Sequence, residues 1–145
     1  MAFIRVPFYQ EWTLGTIYSD FIVGNGRNNR IYGYQGNDFI AGGGGHDVLL
    51  GGAGNDYLLG NDGSDSLHGE DGNDYLSGGA NLDELWGGNG DDRLYGNDGN
   101  DRLYGESGDD KMYGGSGHDL MYGGENSDKL YGGAGDDLLN GGAGE

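Results

Sequence analysis

Residues 51–79 read GGAGNDYLLGNDGSDSLHGEDGNDYLSGG, a stretch that nearly repeats itself three times. Glycine returns at every ninth residue (Gly51, Gly60, Gly69, Gly78). An aspartate follows each by five (Asp56, Asp65, Asp74, Asp83), and a leucine stands two residues beyond it. Extended in both directions, the frame holds from Gly24 to residue 140 as thirteen consecutive nonads without an insertion. Position 1 is always glycine. Position 6 is Asn29 and then Asp38, Asp47, Asp56, Asp65, Asp74, Asp83, Asp92, Asp101, Asp110, Asp119, Asp128 and Asp137. Position 8 is Ile, Leu or Met from Ile31 to Leu139. A worn copy, GTIYSDFIV (15–23), keeps Gly15, Asp20 and Ile22, and a partial copy, GGAGE (141–145), ends the chain.

The period decides between two readings of an unusual composition. The chain of 145 residues has 36 glycines, one proline, no cysteine and a formal net charge of −18. Such a composition alone fits an acidic disordered linker, because low hydrophobicity and high charge do not offset chain entropy. A nine-residue register sustained along nearly the whole chain is the mark of a stacked repeat instead. Each apolar position 8 lies between polar or aromatic neighbours, as in Arg93-Leu94-Tyr95, which predicts a three-residue strand with one side chain inward and two outward. The six residues before it, of the form GGxGxD, are turn chemistry. At position 4, Asn81 and Asn126 replace glycine, and asparagine is the next residue most tolerant of left-handed backbone. Arg27 breaks that rule and marks 24–32 as a degraded copy.

Two nonads make an 18-residue coil whose two short strands face each other. One coil buries almost nothing, so coils must stack. The predicted fold is all-β, a right-handed parallel β-roll of about six and a half coils, roughly 30 Å long at about 4.8 Å per coil. Residues 15–145 form the roll. Residues 1–14, rich in Phe, Ile and Trp, read as an N-terminal segment that caps the first coil or packs over the outward apolar side chains Phe39, Val48, Leu50, Tyr57 and Leu59.

Stacking would place the position-6 aspartates above one another, where like charges repel. The fold needs a cation. Calcium takes six to eight oxygens at about 2.3–2.6 Å. Glycine turns expose carbonyls, aspartates add carboxylate, and two loops 18 residues apart supply enough ligands. Calcium is therefore the expected cofactor, located between stacked loops.

The pattern GGxGxDxUx, as in Gly51-Gly52-Ala53-Gly54-Asn55-Asp56-Tyr57-Leu58-Leu59, resembles the RTX calcium-binding nonapeptide repeat, over about 15–145. That resemblance implies a ligand scheme. The position-6 Asp and the carbonyls of positions 2 and 4 of one loop meet the Asp and the carbonyls of positions 1 and 3 of the loop 18 residues on. The lower carbonyls would be Tyr34 and Gly36, Gly43 and Gly45, Gly52 and Gly54, Asn61 and Gly63, Glu70 and Gly72, Gly79 and Asn81, Gly88 and Gly90, Asn97 and Gly99, Glu106 and Gly108, and Gly115 and Gly117. Their upper partners would be Gly51 and Ala53, Gly60 and Asp62, Gly69 and Asp71, Gly78 and Ala80, Gly87 and Asn89, Gly96 and Asp98, Gly105 and Ser107, Gly114 and Ser116, Gly123 and Glu125, and Gly132 and Ala134. Twelve Asp-bearing loops paired two apart give about ten ions, with Asp20 able to pair with Asp38. The resemblance further implies a structural module of a type I-secreted bacterial protein, extracellular, folding as it meets external calcium. Family members continue into a flanking cap or secretion signal, so the chain reads as a piece of a larger protein or as an engineered one.

The remaining features have plainer readings. Trp86, Tyr95, Tyr104, Tyr113, Tyr122 and Tyr131 at position 9 are expected to stack between coils. Tyr95, Tyr113 and Tyr131, flanked by Arg93, Lys111 and Lys129, offer an alternative function: a face for a polysaccharide, a surface or another domain of a parent protein. Asp62, Glu70, Asp71, Asp91, Asp98, Glu106, Asp109 and Asp136 read as solvated loop edges, and His46, His68 and His118 as surface residues. Net acidity argues against nucleic acid and anionic membranes as partners. No apolar run is long enough to span a membrane, and 1–14 does not read as a signal peptide. Without HExxH, GxSxG, an EF-hand pattern or cysteine, the chain is expected to be a monomeric module with no catalytic residues.

Overall fold

The nine-residue alternation of strand and turn becomes two parallel sheets with the apolar column between them. The computed structural model describes residues 1–7 and 10–144; Phe8 and Tyr9 of the N-terminal segment and Glu145 of the partial copy lie outside the described residues. The first strands are β1 (Phe3–Arg5), β2 (Trp12–Leu14), β3 (Phe21–Asn25) and β4 (Arg30–Gln35). Twelve more follow at nine-residue intervals, from β5 (Phe39–Gly44) to β15 (Lys129–Ala134) and β16 (Leu138–Ala143). Odd strands form one eight-stranded sheet and even strands the other, each in chain order. Every pairing is parallel with a register of 18, for example Leu85 on Leu67 and Leu103. The architecture is an all-β parallel solenoid of about eight turns.

Position 8 points between the sheets. Ile22, Ile31, Ile40, the leucines from Leu49 to Leu103, Met112 and Met121 are all 0% exposed, one above another in a single column. Leu130 is partly buried and Leu139 is 41% exposed, because among the described residues no further coil covers them.

Two features differ from the sequence reading. First, most strands are six residues long, because positions 2 and 3 of each loop also pair with the coil above, as Gly88–Glu106 and Asn89–Ser107 do. Polar backbone groups in a stack need partners, and superposed loops provide them. Second, residues 3–5 and 12–14 do cover the first coil, one of the two readings of 1–14, but they do so by continuing both sheets: Ile4 pairs with Ile22 and Thr13 with Ile31. Thr13 and Val6 are buried at that end.

The left-handed backbone is more widespread than position 4 suggests. Asn81 and Asn126 do have φ of 80° and 78°, but position 2 is left-handed as well, and there it falls on Tyr34, Glu70 and Glu106 with φ of 79°, 78° and 75°. For a residue with a Cβ this conformation costs about 1–2 kcal/mol, partly offset by the extra entropy that glycine loses. Glu106→Gly is therefore expected to stabilise the calcium-loaded fold by about 0.5–1 kcal/mol. A melt of the variant at or below the parent's midpoint would contradict it.

Candidate metal centre

The loops bring the aspartates into two vertical rows, one along each edge of the solenoid. Asp38 to Asp119 are all at most 3% exposed. Each holds the coil below it: its Oδ1 accepts a hydrogen bond from the backbone N–H of the residue 18 positions earlier. The series runs from Asp38 on Asp20 N–H to Asp137 on Asp119 N–H, at 2.6–3.0 Å.

The second oxygen is different. Oδ2 of every one of these aspartates from Asp38 to Asp128 is buried without a hydrogen-bond partner. An unpartnered buried carboxylate oxygen is costly, the more so with its neighbours in the row bearing the same charge. In several loops a carbonyl oxygen of the next coil stands near it. The missing side chain of Gly33 would collide with both Asp38 Oδ2 and the Gly51 carbonyl, and that of Gly51 with Asp56 Oδ2 while meeting the Gly69 carbonyl at 2.9 Å. Glycine at position 1 thus keeps open a notch on which a carboxylate and the carbonyl of the next coil converge.

The other carbonyls of the expected ligand set face the same inter-coil gap. The Tyr34 and Gly36 carbonyls lie beneath the α-carbons of Gly52 and Gly54, and the same relation recurs up the stack. Position-3 carbonyls such as Ala53 and Asp62 point down and each accepts one N–H, from Gly36 at 2.8 Å and from Gly45 at 2.9 Å, which leaves a lone pair free. Among the described residues no three His, Cys, Asp or Glu side chains converge on one point. A cation here would be held by paired carboxylates and backbone oxygens, the donor set a hard ion such as Ca²⁺ favours.

In the two worn loops an N–H of the same loop reaches the position-6 side chain, although Asn29 Nδ2 stays buried without a partner. Asp20 accepts N–H bonds from Ala2 at 2.8 Å and from Thr16, position 2 of its own loop, at 2.7 Å. Asn29 accepts one from Asn25, again position 2, at 2.8 Å. Thr16 and Asn25 have ordinary φ, whereas position 2 is left-handed in all later loops. The turn of that peptide decides whether an N–H fills the notch or leaves it to a cation. Each Asp20 oxygen thus accepts one N–H, whereas Oδ2 of Asp38 accepts none.

The electrostatics separate the same two classes. Burial pushes the carboxyls of Asp83 and Asp92 up to about 8, Asp47 and Asp56 to about 7, and Asp74, Asp101 and Asp110 to about 6. Stacked neighbours add to the effect; N–H donation from the coil below opposes it. Burial acts on Asp20 too, but the Ala2 and Thr16 donors and the N-terminal ammonium outweigh it, and its carboxyl lies below the ordinary range. A raised folded-state pKa means that the calcium-free fold holds protons more tightly than the unfolded chain. Without calcium, its stability is therefore expected to rise as pH falls from about 8 to about 4, and to be lost again as pH rises. Circular dichroism in EGTA across that range checks the sign, and protons should compete with calcium over the same window.

Rings stack outside the sheets as expected. Tyr95, Tyr113 and Tyr131 are spaced 4.8 Å apart, and this ladder continues through Tyr75, Tyr57, Phe39 and Phe21 to Phe3. His68, Trp86, Tyr104 and Tyr122 form a second ladder on the other sheet. His46 and His118 are exposed, each accepting a backbone N–H of the coil above through Nδ1.

Compared with curated proteins, the chain finds no relative that matches it. The family comparison does match, and it meets the geometry: residues 14–49, 50–85, 86–121 and 113–145 each fit the RTX calcium-binding nonapeptide repeat, so the chain belongs to that family and is a calcium-binding β-roll.

Proposed function

We propose that the chain is a structural module whose folding is driven by extracellular calcium, as part of a protein exported from a low-calcium compartment. The observation that carries this reading is the row of buried, partnerless Oδ2 atoms from Asp38 to Asp128, several with a carbonyl of the next coil nearby. About ten ions would lie between Asp-bearing loops two apart, from the Asp38–Asp56 pair to the Asp119–Asp137 pair, with the carbonyls of positions 2 and 4 below and 1 and 3 above. Bound calcium supplies the positive charge that these rows lack, and ten ions would roughly cancel the net charge of −18. The module carries no catalysis of its own and acts as a monomer. Calorimetric titration of the calcium-free chain is the direct test. About ten ions taken up together with a large folding enthalpy support the reading; one or two ions without folding contradict it.

A second reading has one observation in its favour. Arg93, Lys111 and Lys129 stack in register on one face, a basic stripe sharing its groove with Asp91, Asp92, Asp109 and Asp110. An acidic polysaccharide laid along the rod would meet this stripe through its charges. The tyrosine rings beside it are stacked within 8° of parallel, so their faces are already covered and only edges remain for a sugar. Lys111→Ala should weaken retention on an acidic glycan column if this reading holds, and leave calcium uptake unchanged.

A further inference from the structure

The charge of the rod is segregated. Residues 1–34 hold three basic residues and two acids, one of them the buried Asp20, while residues 35–145 hold four basic residues and 23 acids. The same short N-terminal stretch carries a cluster of exposed large apolar side chains: Phe3 (73% exposed), Trp12 (58%), Ile17 (64%) and Tyr18 (65%). Among the described residues Phe3 is the last ring of its ladder, stacked on Phe21. Trp12 lies on the edge strand of the other sheet, in register with Arg30, and Arg5 shares the outer face of β1 with Phe3. Arg5 and Arg30 are both exposed. On each face of the tip an aromatic ring therefore leads and a guanidinium stands close by. Ile17 and Tyr18 project from the loop between β2 and β3.

We propose that this end of the rod is a docking tip for an anionic lipid surface. Aromatic and aliphatic side chains favour the boundary between headgroups and acyl chains, while arginines beside them reach the phosphates. The acidic body is repelled by such a surface, which orients the rod end-on with its aspartate rows away from the lipid. Local charge at the tip thus reverses the expectation drawn from net charge alone.

The test uses the full chain folded in millimolar calcium and sedimented with vesicles of phosphatidylcholine, with and without phosphatidylglycerol. Binding to the anionic vesicles and a blue shift of tryptophan emission are expected; Trp86, stacked between His68 and Tyr104, is shielded from such a change, so Trp12 reports it. Arg5→Glu combined with Arg30→Glu should lower binding about tenfold or more. Ile17→Ser combined with Tyr18→Ser alters only an exposed loop and should also weaken it, with unchanged circular dichroism. Equal binding with and without the anionic lipid overturns the proposal, as does binding indifferent to the arginine changes, which would mark calcium bridging by the acidic body. Tip-dependent self-association without vesicle binding likewise overturns it, in favour of a second copy as the occupant.

Discussion

Withdrawing calcium with EGTA is expected to abolish most of the β-sheet signal of this chain, and millimolar calcium to restore it. The leucine column is too thin to hold the fold. Each nine-residue repeat contributes a single Ile, Leu or Met to that column. A site filled at ten times its dissociation constant adds about 1.4 kcal/mol. Ten such sites add about 14 kcal/mol, comparable to the whole stability of an ordinary domain, about 5–15 kcal/mol. The loss should be graded along the chain. The loops of Asp20 and Asn29 carry their own N–H donors, so hydrogen exchange should find the amides around Ile22 and Ile31 protected longest as calcium falls. Uniform loss of protection from end to end would refute that order, and an unchanged spectrum in EGTA would refute the coupling itself.

Asp83→Asn should act in opposite directions with and without calcium. The amide oxygen can still accept the Asp65 N–H, now at 2.8 Å, so the contact between coils survives. What disappears is the charge. In EGTA near pH 7 this should favour the fold, because burial already pushes the Asp83 carboxyl to about 8. In calcium the same change should remove two ions, those shared with Asp65 and with Asp101, and about 3 kcal/mol of stability at tenfold saturation. Titration calorimetry and melts in the two media measure both signs. Equal destabilisation in both would mean that the aspartate serves only as a hydrogen-bond acceptor. Asp20→Asn makes a useful contrast. It leaves one acceptor oxygen for the Ala2 and Thr16 donors and should cost about 1–3 kcal/mol whether or not calcium is present.

The solenoid, its register and its buried column could be read from the sequence because glycine, aspartate and leucine return at fixed intervals. The N-terminal coil was harder to see. Phe3-Ile4, Phe21-Ile22 and Phe39-Ile40 recur 18 residues apart, but 1–14 has neither glycine nor aspartate to announce a loop. Strand length was hidden for a related reason: glycine at positions 1 and 2 looks like a turn in isolation and becomes ladder only when another coil lies above it. The left-handed backbone at Tyr34, Glu70 and Glu106 runs against local preference and is imposed by stacking. In the metal rows the aspartates were evident from spacing alone. That Asp20 is already satisfied was not, since a letter does not reveal which way the peptide before Thr16 turns.

The ladder in which each coil bonds only to those 18 residues away has a mechanical consequence. Pulled by its two ends, the rod should not burst as a globular domain does but peel from an end, one turn at a time. Each step frees 18 residues, about 60 Å of extended chain, and resistance should renew itself at every step for as long as ions remain to be released.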